Sequence, residues 1–555
     1  MRSGGKILVD GLRGHGVDMA FCVPGESYLA VLDAMYDVRE QLKLIVCRQE
    51  GGASFMAEAY GKLTGRPGIC FVTRGPGATN ASIGVHTAYQ DSSPMILFIG
   101  QVGGDFVERE AFQEVDYRRM FGEMTKWVAQ IDRAERIPEY LSHAFHLATS
   151  GRPGPVVLAL PEDMLVSQAD VRDTPRYKTI HTYPGLAQFE QLRELLNAAQ
   201  RPFVLLGGSA WTSDACGAIQ GFAEAANVPV GCAFRRQDLF DNTHKNYAGD
   251  VGIGINPKLA QRIKDADLVI VIGCRLDEMT TSGYTLFDVP RPKQKFVHVH
   301  PGSDELGKIY QADLYINSSI LPFAGMLRAM MNIDSSRWKT WTEAARADYL
   351  ANIIPGPCPG AVDMGKIILW LKEKLPANAI LTNGAGNFST WAARFYPYRP
   401  WRTQLAPING AMGYGTPSGI AAKLVHPHRT VVTFSGDGDF LMTGQELATA
   451  MQYNAAVIFI VVNNGMYGTI RMHQEREYPA RVHGTALQNP DFAALARAYG
   501  ALGETVETTE QFAPAFERAM ASNKPALIEV KLDPEAITPR TTLSAIRNRG
   551  KSSSA

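Results

Sequence analysis

One pattern recurs along the chain and restricts the folds open to it. A short run of β-branched and other apolar residues ends in a glycine-rich or polar turn, and a helical stretch follows. Such alternation is typical of parallel α/β units, in which helices cover the sheet. The runs form three groups, within 19–163, 201–300 and 378–465. The sequence therefore predicts an α/β protein of three doubly wound parallel-sheet domains.

Two stretches between these groups predict the domain boundaries. Residues 164–195 are polar and weakly periodic, which is typical of a linker, and residues 355–360 read PGPCPG, which breaks helices and strands. The predicted domains are 1–175, 185–345 and 355–540. The tail at 541–555 ends in KSSSA, and we expect it to be frayed.

Charge and cysteine content argue against several classes of protein. The 55 basic residues equal the 55 acidic ones, so there is no electrostatic reason to expect nucleic acid or an anionic membrane as a partner. No two of the seven cysteines have CxxC spacing, which disfavours a zinc site or a disulfide framework. The N-terminal sequence lacks a signal-peptide core, and the strongest apolar run, at 455–462, is too short to span a bilayer. We expect a cytoplasmic protein.

The most informative motifs lie in the last third. Strand-like VVTFS (431–435) precedes GDGDF (436–440), and strand-like VIFIVV (457–462) precedes NNGMYG (463–468). Ligands of open parallel sheets bind at the carboxyl ends of strands, so two adjacent strands would bring these turns together. Asp437, Asn464 and a carbonyl near Met466 would then offer Mg²⁺ three oxygen ligands. Each tripeptide alone is typical of a simple turn; the pair at this spacing is more specific.

GDGDF followed by NN resembles the thiamine-diphosphate-binding signature. The resemblance extends over nearly the whole chain, in the domain order of the acetolactate synthase-like family: pyrimidine-binding, middle, then diphosphate-binding. It implies Mg²⁺ held by Asp437, Asn464 and the carbonyl of Met466. It also implies a cofactor site formed by Glu50, Asn387, Phe388, Gly410, Met412, Gly438, Asp439, Gly465, Met466 and Tyr467.

Within that resemblance, Glu50 matches the glutamate that activates the cofactor's pyrimidine ring. The alternative is an acidic residue favoured at a helix N-terminus. Met412, in NGAMGYG, matches the wedge that bends the cofactor; the alternative is a flexible core residue. In this family the glutamate and the metal ligands come from different subunits, which implies a homodimer or homotetramer.

Residues on the substrate side also follow from the resemblance. Thr73 and Gln113 are expected to be catalytic, and Gln113 would hydrogen-bond the bound intermediate. Glu26, Ser27, Phe112 and Lys126 are candidate substrate contacts. Lys126 could instead be a solvated lysine, and Ser27 a loop cap.

Several positions depart from the acetolactate synthase pattern. Acetolactate synthases resemble RFDDR in the middle domain, where this chain reads Arg275-Leu276-Asp277-Glu278-Met279. Met279 therefore replaces the last arginine of that run. In addition, no tryptophan follows the NN turn. The glycines at 207–208 and 252–254 match a FAD site only in part, and turns explain them equally well, so we expect no FAD. Paired histidines typical of pyruvate decarboxylases are missing from the first domain, and His473 could face the site or be solvated.

The predicted function is thiamine-diphosphate-dependent decarboxylation of a 2-oxo acid, with carboligation to a second carbonyl compound. The loss of the arginine suggests a less acidic acceptor, such as an aldehyde. The alternatives are a decarboxylase or C–C lyase that does not ligate, a non-catalytic regulatory relative that binds cofactor, and a flavin-dependent oxidase.

Overall fold

The computed structural model describes residues 1–328 and 333–554. Within them, three six-stranded parallel sheets with interspersed helices confirm the predicted fold class. An antiparallel two-stranded ribbon, made of Arg2–Ser3 (β1) and Gln168–Ala169 (β8), joins the two ends of the first domain.

The first sheet has the strand order β3-β2-β4-β5-β7-β6. Its strands are β2 (Met19–Cys22), β3 (Lys43–Val46), β4 (Gly68–Val72), β5 (Met95–Gln101), β6 (Trp127–Gln130) and β7 (Pro155–Pro161). The helices are α1 (Gly4–Gly14), α2 (Leu29–Tyr36), α3 (Glu50–Thr64), α4 (Gly75–Asp91), α5 (Tyr117–Phe121), α6 (Ile137–Thr149) and α7 (Glu162–Val166). Every residue of β4, β5 and β7 is buried, as expected for central strands covered on both faces.

The middle sheet has the order β11-β10-β9-β12-β13-β14. Its strands are β9 (Pro202–Leu206), β10 (Val230–Ala233), β11 (Tyr247–Val251), β12 (Leu268–Ile272), β13 (Lys295–His300) and β14 (Leu314–Asn317). The helices are α8 (Leu186–Ala198), α9 (Ser213–Ala225), α10 (Pro257–Asp265), α11 (Ile320–Leu327) and α12 (Lys339–Asn352).

The third sheet has the order β16-β15-β17-β18-β20-β19. Its strands are β15 (Ile380–Asn383), β16 (Gln404–Leu405), β17 (Val431–Gly436), β18 (Ile458–Asn463), β19 (Leu502–Val506) and β20 (Ala526–Lys531). The helices are α13 (Met364–Lys374), α14 (Ser389–Phe395), α15 (Gly415–Val425), α16 (Asp437–Phe440), α17 (Leu447–Gln452), α18 (Gly468–Glu477), α19 (Phe492–Ala498), α20 (Thr509–Ser522) and α21 (Leu543–Ser554).

The chain divides into two compact units. The first contains residues 1–180 together with 420–426 and 443–453, and the second contains the rest of the described chain. Two segments of the third predicted domain, 420–426 and 443–453, therefore pack with the first domain. The domain boundaries drawn from the sequence stay predictions.

Two expectations about linkers and termini need correction. The polar stretch 164–195 is not wholly a linker, because α7 ends within it and α8 begins within it. The tail is not frayed: α21 places the buried side chains of Leu543 and Ile546 against Ile537 and Met472. Among the described residues, no helix combines the length and apolarity that crossing a membrane requires.

Candidate active site

The carboxyl ends of β17 and β18 lie side by side, as the sequence predicted. The strands pair in parallel, and Gly436 is opposite Val462 at the end of the ladder. Beyond it, the backbone N–H of Gly465 donates to Asp437 Oδ2 at 2.9 Å. The GDGDF and NNG turns therefore meet directly.

Asp437 is buried and surrounded by donors. Its Oδ1 accepts from the N–H of Gly438 at 3.0 Å, and its Oδ2 also accepts from Asn489 Nδ2 at 2.8 Å. Burial raises the pKa of Asp437, and these hydrogen bonds oppose that rise. A bound cation would further favour the ionised carboxylate.

The loop after β18 has a fixed main chain at Met466. Met466 forms a bridge with Ala486, and the N–H of Tyr467 donates to Thr485 O at 2.9 Å. Because the peptide group is planar and trans, the carbonyl of Met466 points the opposite way. The Asn464 side chain lies against the start of α18, since a Cβ on Gly468 would be 3.1 Å from its Nδ2.

This donor set fits a cation that shares its coordination with a ligand's phosphates. No cluster of three or more His, Cys, Asp or Glu side chains suited to a metal occurs in the part of the chain that the structure describes. Asp437 supplies one carboxylate, and Asn464 and Met466 offer neutral oxygens. Mg²⁺ is commonly bound through one or two carboxylates plus substrate phosphates and water.

Asp439 ties two neighbouring loops together. Its Oδ1 accepts from the N–H groups of Ala385 and Gly413, at 3.0 and 2.9 Å. Burial raises its pKa to about 6, and its Oδ2 has no hydrogen-bond partner within the described residues. The sequence predicts Asp439 beside a diphosphate, and the structure shows its Oδ1 bonded to two backbone amides.

The other predicted cofactor residues surround these loops. Phe388 packs over the turn, because a Cβ on Gly436 would lie 2.9 Å from its ring. Asn387 forms reciprocal hydrogen bonds with Thr469, each 3.1 Å long. The ring of Tyr467 covers Gly438, where a Cβ would be 2.5 Å away.

Gly410 and Met412 lie in the loop that Asp439 holds. Gly410 has a φ of +70°, in the left-handed region that favours glycine, and its N–H donates to Pro407 O at 3.1 Å. Met412 is half-buried and directly precedes Gly413, the residue bonded to Asp439. The segment carrying Met412 is therefore fixed on both sides.

In the first compact unit, Glu50 is the first residue of α3. Gln49 caps the helix, its side chain accepting from the N–H of Gly52 at 3.1 Å. A Cβ on Gly77 would lie 3.4 Å from Glu50 Oε1 and 3.1 Å from Thr73 Cγ2. The structure thus brings Glu50 and Thr73 together at the start of α4.

Three further predicted residues lie near Thr73. The Ser27 and Thr73 hydroxyls are 3.0 Å apart, and the N–H of Gly75 donates to Gln113 O at 3.0 Å. Gln113 has a φ of +65°, and its buried Oε1 lacks a hydrogen-bond partner in residues 1–328 and 333–554. Glu26 and Ser27 also line a cavity of about 410 Å³ beside Phe106.

Two candidate substrate contacts are placed differently. Lys126 donates to Leu147 O and Ser150 O at the end of α6, so its ammonium is used within the fold rather than held ready for a carboxylate. Phe112 is 73% exposed in this chain. His473 is also exposed, with its ring against Arg476.

Sequence reasoning missed Glu446. It is fully buried, and its Oε1 accepts from the N–H groups of Arg48 and Gln49, at 3.0 and 2.9 Å. These two residues immediately precede Glu50. The sequence signal that could have pointed to it is Gly52, because a glycine can mark a place where another group approaches the backbone closely. A Cβ on Gly52 would lie 2.5 Å from Glu446 Oε1.

Gly208, in the middle domain, has a packing role. A Cβ on Gly208, after β9, would lie 1.8 Å from Gly273 O, after β12. The two turns at the centre of the sheet therefore touch through their main chains. This contact accounts for the glycine at 208. Nearby, Arg275 pairs with buried Glu305 at 3.7 Å.

Three family models match the chain in succession. The N-terminal thiamine pyrophosphate (TPP)-binding domain of thiamine pyrophosphate enzymes matches residues 2–120. The central domain of these enzymes matches 189–327, and the C-terminal TPP-binding domain matches 384–530.

Full-length relatives agree with the family models. The chain is 31% identical to a probable acetolactate synthase large subunit of Methanocaldococcus jannaschii, over 97% of this chain and 93% of the relative. It is 30% identical to the acetolactate synthase isozyme 2 large subunit of Escherichia coli, over 96% of each. It is 31% identical to the acetolactate synthase large subunit of Corynebacterium glutamicum, over 95% of this chain and 86% of the relative.

Proposed function

The chain belongs to the thiamine pyrophosphate enzymes, in the family of the acetolactate synthase large subunits, and we propose from this premise that it decarboxylates a 2-oxo acid and joins the remaining fragment to a second carbonyl compound. One observation carries the proposal most directly. Asp437 and the NNG turn meet at the ends of neighbouring strands, through the 2.9 Å hydrogen bond from Gly465.

The second compact unit would hold the diphosphate and Mg²⁺. Asp437, Asn464 and the Met466 carbonyl are the proposed metal ligands, and the backbone amides of the GDGDF turn would receive phosphate oxygens. Met412 would support the cofactor between its rings. Bound thiamine diphosphate supplies an electron sink for the carbon–carbon bond that breaks.

Glu50 would share a proton with the cofactor's pyrimidine ring. Its Oε1 lies on the side of Gly77, beside Thr73. In the proposed assembly, Glu50 and Asp437 serve one cofactor from different subunits, so a dimer is the smallest active form and a tetramer is compatible. The chain would work in a reducing, cytoplasmic setting, which its seven free cysteines suit.

The acceptor would be an aldehyde or another carbonyl compound without a carboxylate. Met279 stands where the resemblance implies an arginine, and Lys126 is occupied by two backbone carbonyls. Neither position offers a free cation to a second acid. Met279→Arg should therefore raise kcat/KM for a 2-oxo acid as acceptor; an unchanged acceptor preference would count against this assignment.

Product analysis tests the proposed reaction. The purified protein, supplied with thiamine diphosphate and Mg²⁺, is given a panel of 2-oxo acids with and without an added aldehyde. Release of carbon dioxide with a ligated product supports the proposal. Aldehyde as the sole product would identify a non-ligating decarboxylase, and lyase activity on 2-hydroxy ketones without carbon dioxide release would identify a C–C lyase.

Glu50→Gln distinguishes an enzyme from a regulatory relative. The substitution should remove turnover and keep metal binding, because Asp437 and Asn464 lie in the other compact unit. A protein that binds thiamine diphosphate but turns over none of the panel would be the regulatory relative. A yellow flavoprotein that oxidises pyruvate would identify the flavin-dependent oxidase instead.

A further inference from the structure

The carboxyl group of Glu50 already has a donor within its own compact unit. Asn80 donates from Nδ2 to Glu50 Oε2 at 2.9 Å. Asn80 lies in α4, at the end of the run VTRGPGATN, and was not among the residues singled out from the sequence. We infer that Asn80 is a positioning residue for Glu50, which rests on the role proposed for Glu50 above.

The packing of α3 against α4 sets the distance between the two side chains. A Cβ on Gly51 would lie 3.4 Å from Asn80 O, and one on Gly84 would lie 2.2 Å from Ser54 Oγ. The glycines therefore allow the two helices to approach closely. The hydrogen bond therefore joins side chains that start from two closely packed helices, with Glu50 half-buried and Asn80 exposed in this chain.

The chemistry of the donor also suits a carboxyl group that must exchange a proton. An arginine or lysine would form an ion pair and favour the ionised carboxylate strongly. The amide of Asn80 is neutral, so it can bond to Oε2 whether or not Oε1 carries a proton. Asn80 thus orients the carboxyl group and leaves Oε1, on the side of Gly77, for the reacting proton.

The test measures proton exchange on the cofactor rather than turnover. The protein is loaded with thiamine diphosphate and Mg²⁺, transferred to deuterated buffer and quenched in acid, and the hydrogen remaining at C2 of the thiazolium is followed by NMR. Asn80→Leu should slow the exchange about tenfold, as expected for loss of one hydrogen bond to a charged group. Asn80→Ser, too short to reach Glu50, should slow it similarly and covers the case in which the leucine variant folds poorly.

Ser82→Ala is the matched control. Ser82 is half-buried on the same helix, and its hydroxyl donates to Thr79 O. Its loss should leave the exchange rate unchanged. If both Asn80 variants exchange at the wild-type rate while Glu50→Gln is slow, the inference about Asn80 is wrong and the role of Glu50 stands.

A double-mutant cycle separates positioning from general destabilisation. If Asn80 acts through Glu50, Asn80→Leu should have no further effect in a Glu50→Gln background. Multiplicative effects of the two substitutions would overturn the inference. Wild-type exchange in Glu50→Gln alone would instead overturn the proposed role of Glu50, so the two failures can be told apart.

Discussion

Glu446 fixes the backbone from which Glu50 projects. Its side chain is fully buried, and besides the N–H groups of Arg48 and Gln49 it accepts from the Thr449 hydroxyl at 2.6 Å. Burial raises its pKa, and these donors oppose that rise. The hydrogen bonds to Glu446 therefore fix the position at which the loop after β3 ends and α3 begins.

Replacement of Glu446 should damage both stability and activity. Glu446→Leu leaves two backbone N–H groups without their acceptor, which should cost about 3 kcal/mol of unfolding free energy. kcat should fall, because Glu50 loses its fixed starting point. Glu446→Gln keeps an acceptor and should be milder on both counts.

Chemical denaturation and turnover of the same preparations check this prediction. Glu504→Gln, which affects a pair with Arg518 at the surface, is the control and should change stability by less than about 1 kcal/mol. Equal stability of Glu446→Leu and wild type would show that Glu446 does not hold this loop.

Asn489 lies beside the proposed metal site and holds Asp437 in place, as Glu446 holds the backbone that precedes Glu50. It donates from Nδ2 to both Asp437 Oδ2 and Asn463 Oδ1, at 2.8 and 2.9 Å. Its buried Oδ1 has no hydrogen-bond partner among the residues that the structure describes. These contacts orient the Asp437 carboxylate before any cation arrives.

Asn489→Leu should weaken Mg²⁺ binding by at least about tenfold, the usual effect of removing a group that orients a metal ligand. Titration calorimetry with Mg²⁺ in the presence of thiamine diphosphate measures this directly. Gln488→Leu, at the exposed neighbouring position, is the control. Unchanged Mg²⁺ affinity in Asn489→Leu would remove Asn489 from the site.

At the scale of elements, one buried carboxylate fastens the C-terminal helix. Glu475, in α18, accepts from Arg547 of α21 at 2.7 and 2.8 Å and from Arg471 of its own helix at 2.9 and 3.0 Å. The hydrogen bond from Arg547 is the main reason that the pKa of Glu475 is lowered to about 2. Since α18 follows the NNG turn, α21 supports the proposed metal loop indirectly.

This attachment should weaken in acid. The pKa of Glu475 is lower in the folded chain than in the unfolded one, so its stabilisation is complete above about pH 4.5 and is lost as the pH falls towards 2. The loss amounts to about 3 kcal/mol. The protection factors of the α21 amides, taken relative to the intrinsic exchange rate at each pH, should therefore fall in this range before the sheets open.

Arg547→Gln should produce the same loosening at neutral pH. Arg549→Gln, on the same helix but bonded to the Thr541 hydroxyl, is the control. Protection of α21 that is equal in Arg547→Gln and wild type would contradict the role of the ion pair.

The success and failure of sequence reasoning differ by element. Buried parallel strands produce continuous apolar runs, so β17 and β18 were predicted together with their adjacency. The helix α21 was missed because it has few apolar residues, and its partners Glu475 and Met472 are distant in sequence. A short polar helix of this kind depends on tertiary contacts that no local pattern reveals.

The candidate site divides in the same way. Turns that follow strands are visible in the sequence, and Asp437 and the NNG turn were predicted from them, whereas Glu50 followed from the resemblance to the family. Asn80, Glu446 and Asn489 act through side-chain hydrogen bonds to other segments, and their spacing carries no motif. The use of Lys126 at the end of α6 was hidden for the same reason.

At the scale of the whole molecule, the two parts of the proposed site lie in different compact units: Glu50 in the first, Asp437 in the second. The proposed assembly joins them across a subunit boundary. Complementation between two inactive variants tests this. Glu50→Gln lacks the activating carboxyl group, Asp437→Ala lacks the metal ligand, and each homo-oligomer should be inactive.

If the subunits of the two variants assemble freely with each other, co-expression should restore activity. In a mixed dimer, one site combines both substitutions, and the other combines an intact Glu50 with an intact Asp437. Half of randomly formed dimers are mixed and each has one good site, so roughly a quarter of wild-type activity should return. Co-expression of Glu50→Gln with Asn80→Leu is the control, because both changes affect the same half of the site, and the mixture should show no more than the average activity of its two parents. If the mixture of Glu50→Gln and Asp437→Ala stays as inactive as its parents while mixed oligomers are recovered with two affinity tags, each site is built within one subunit.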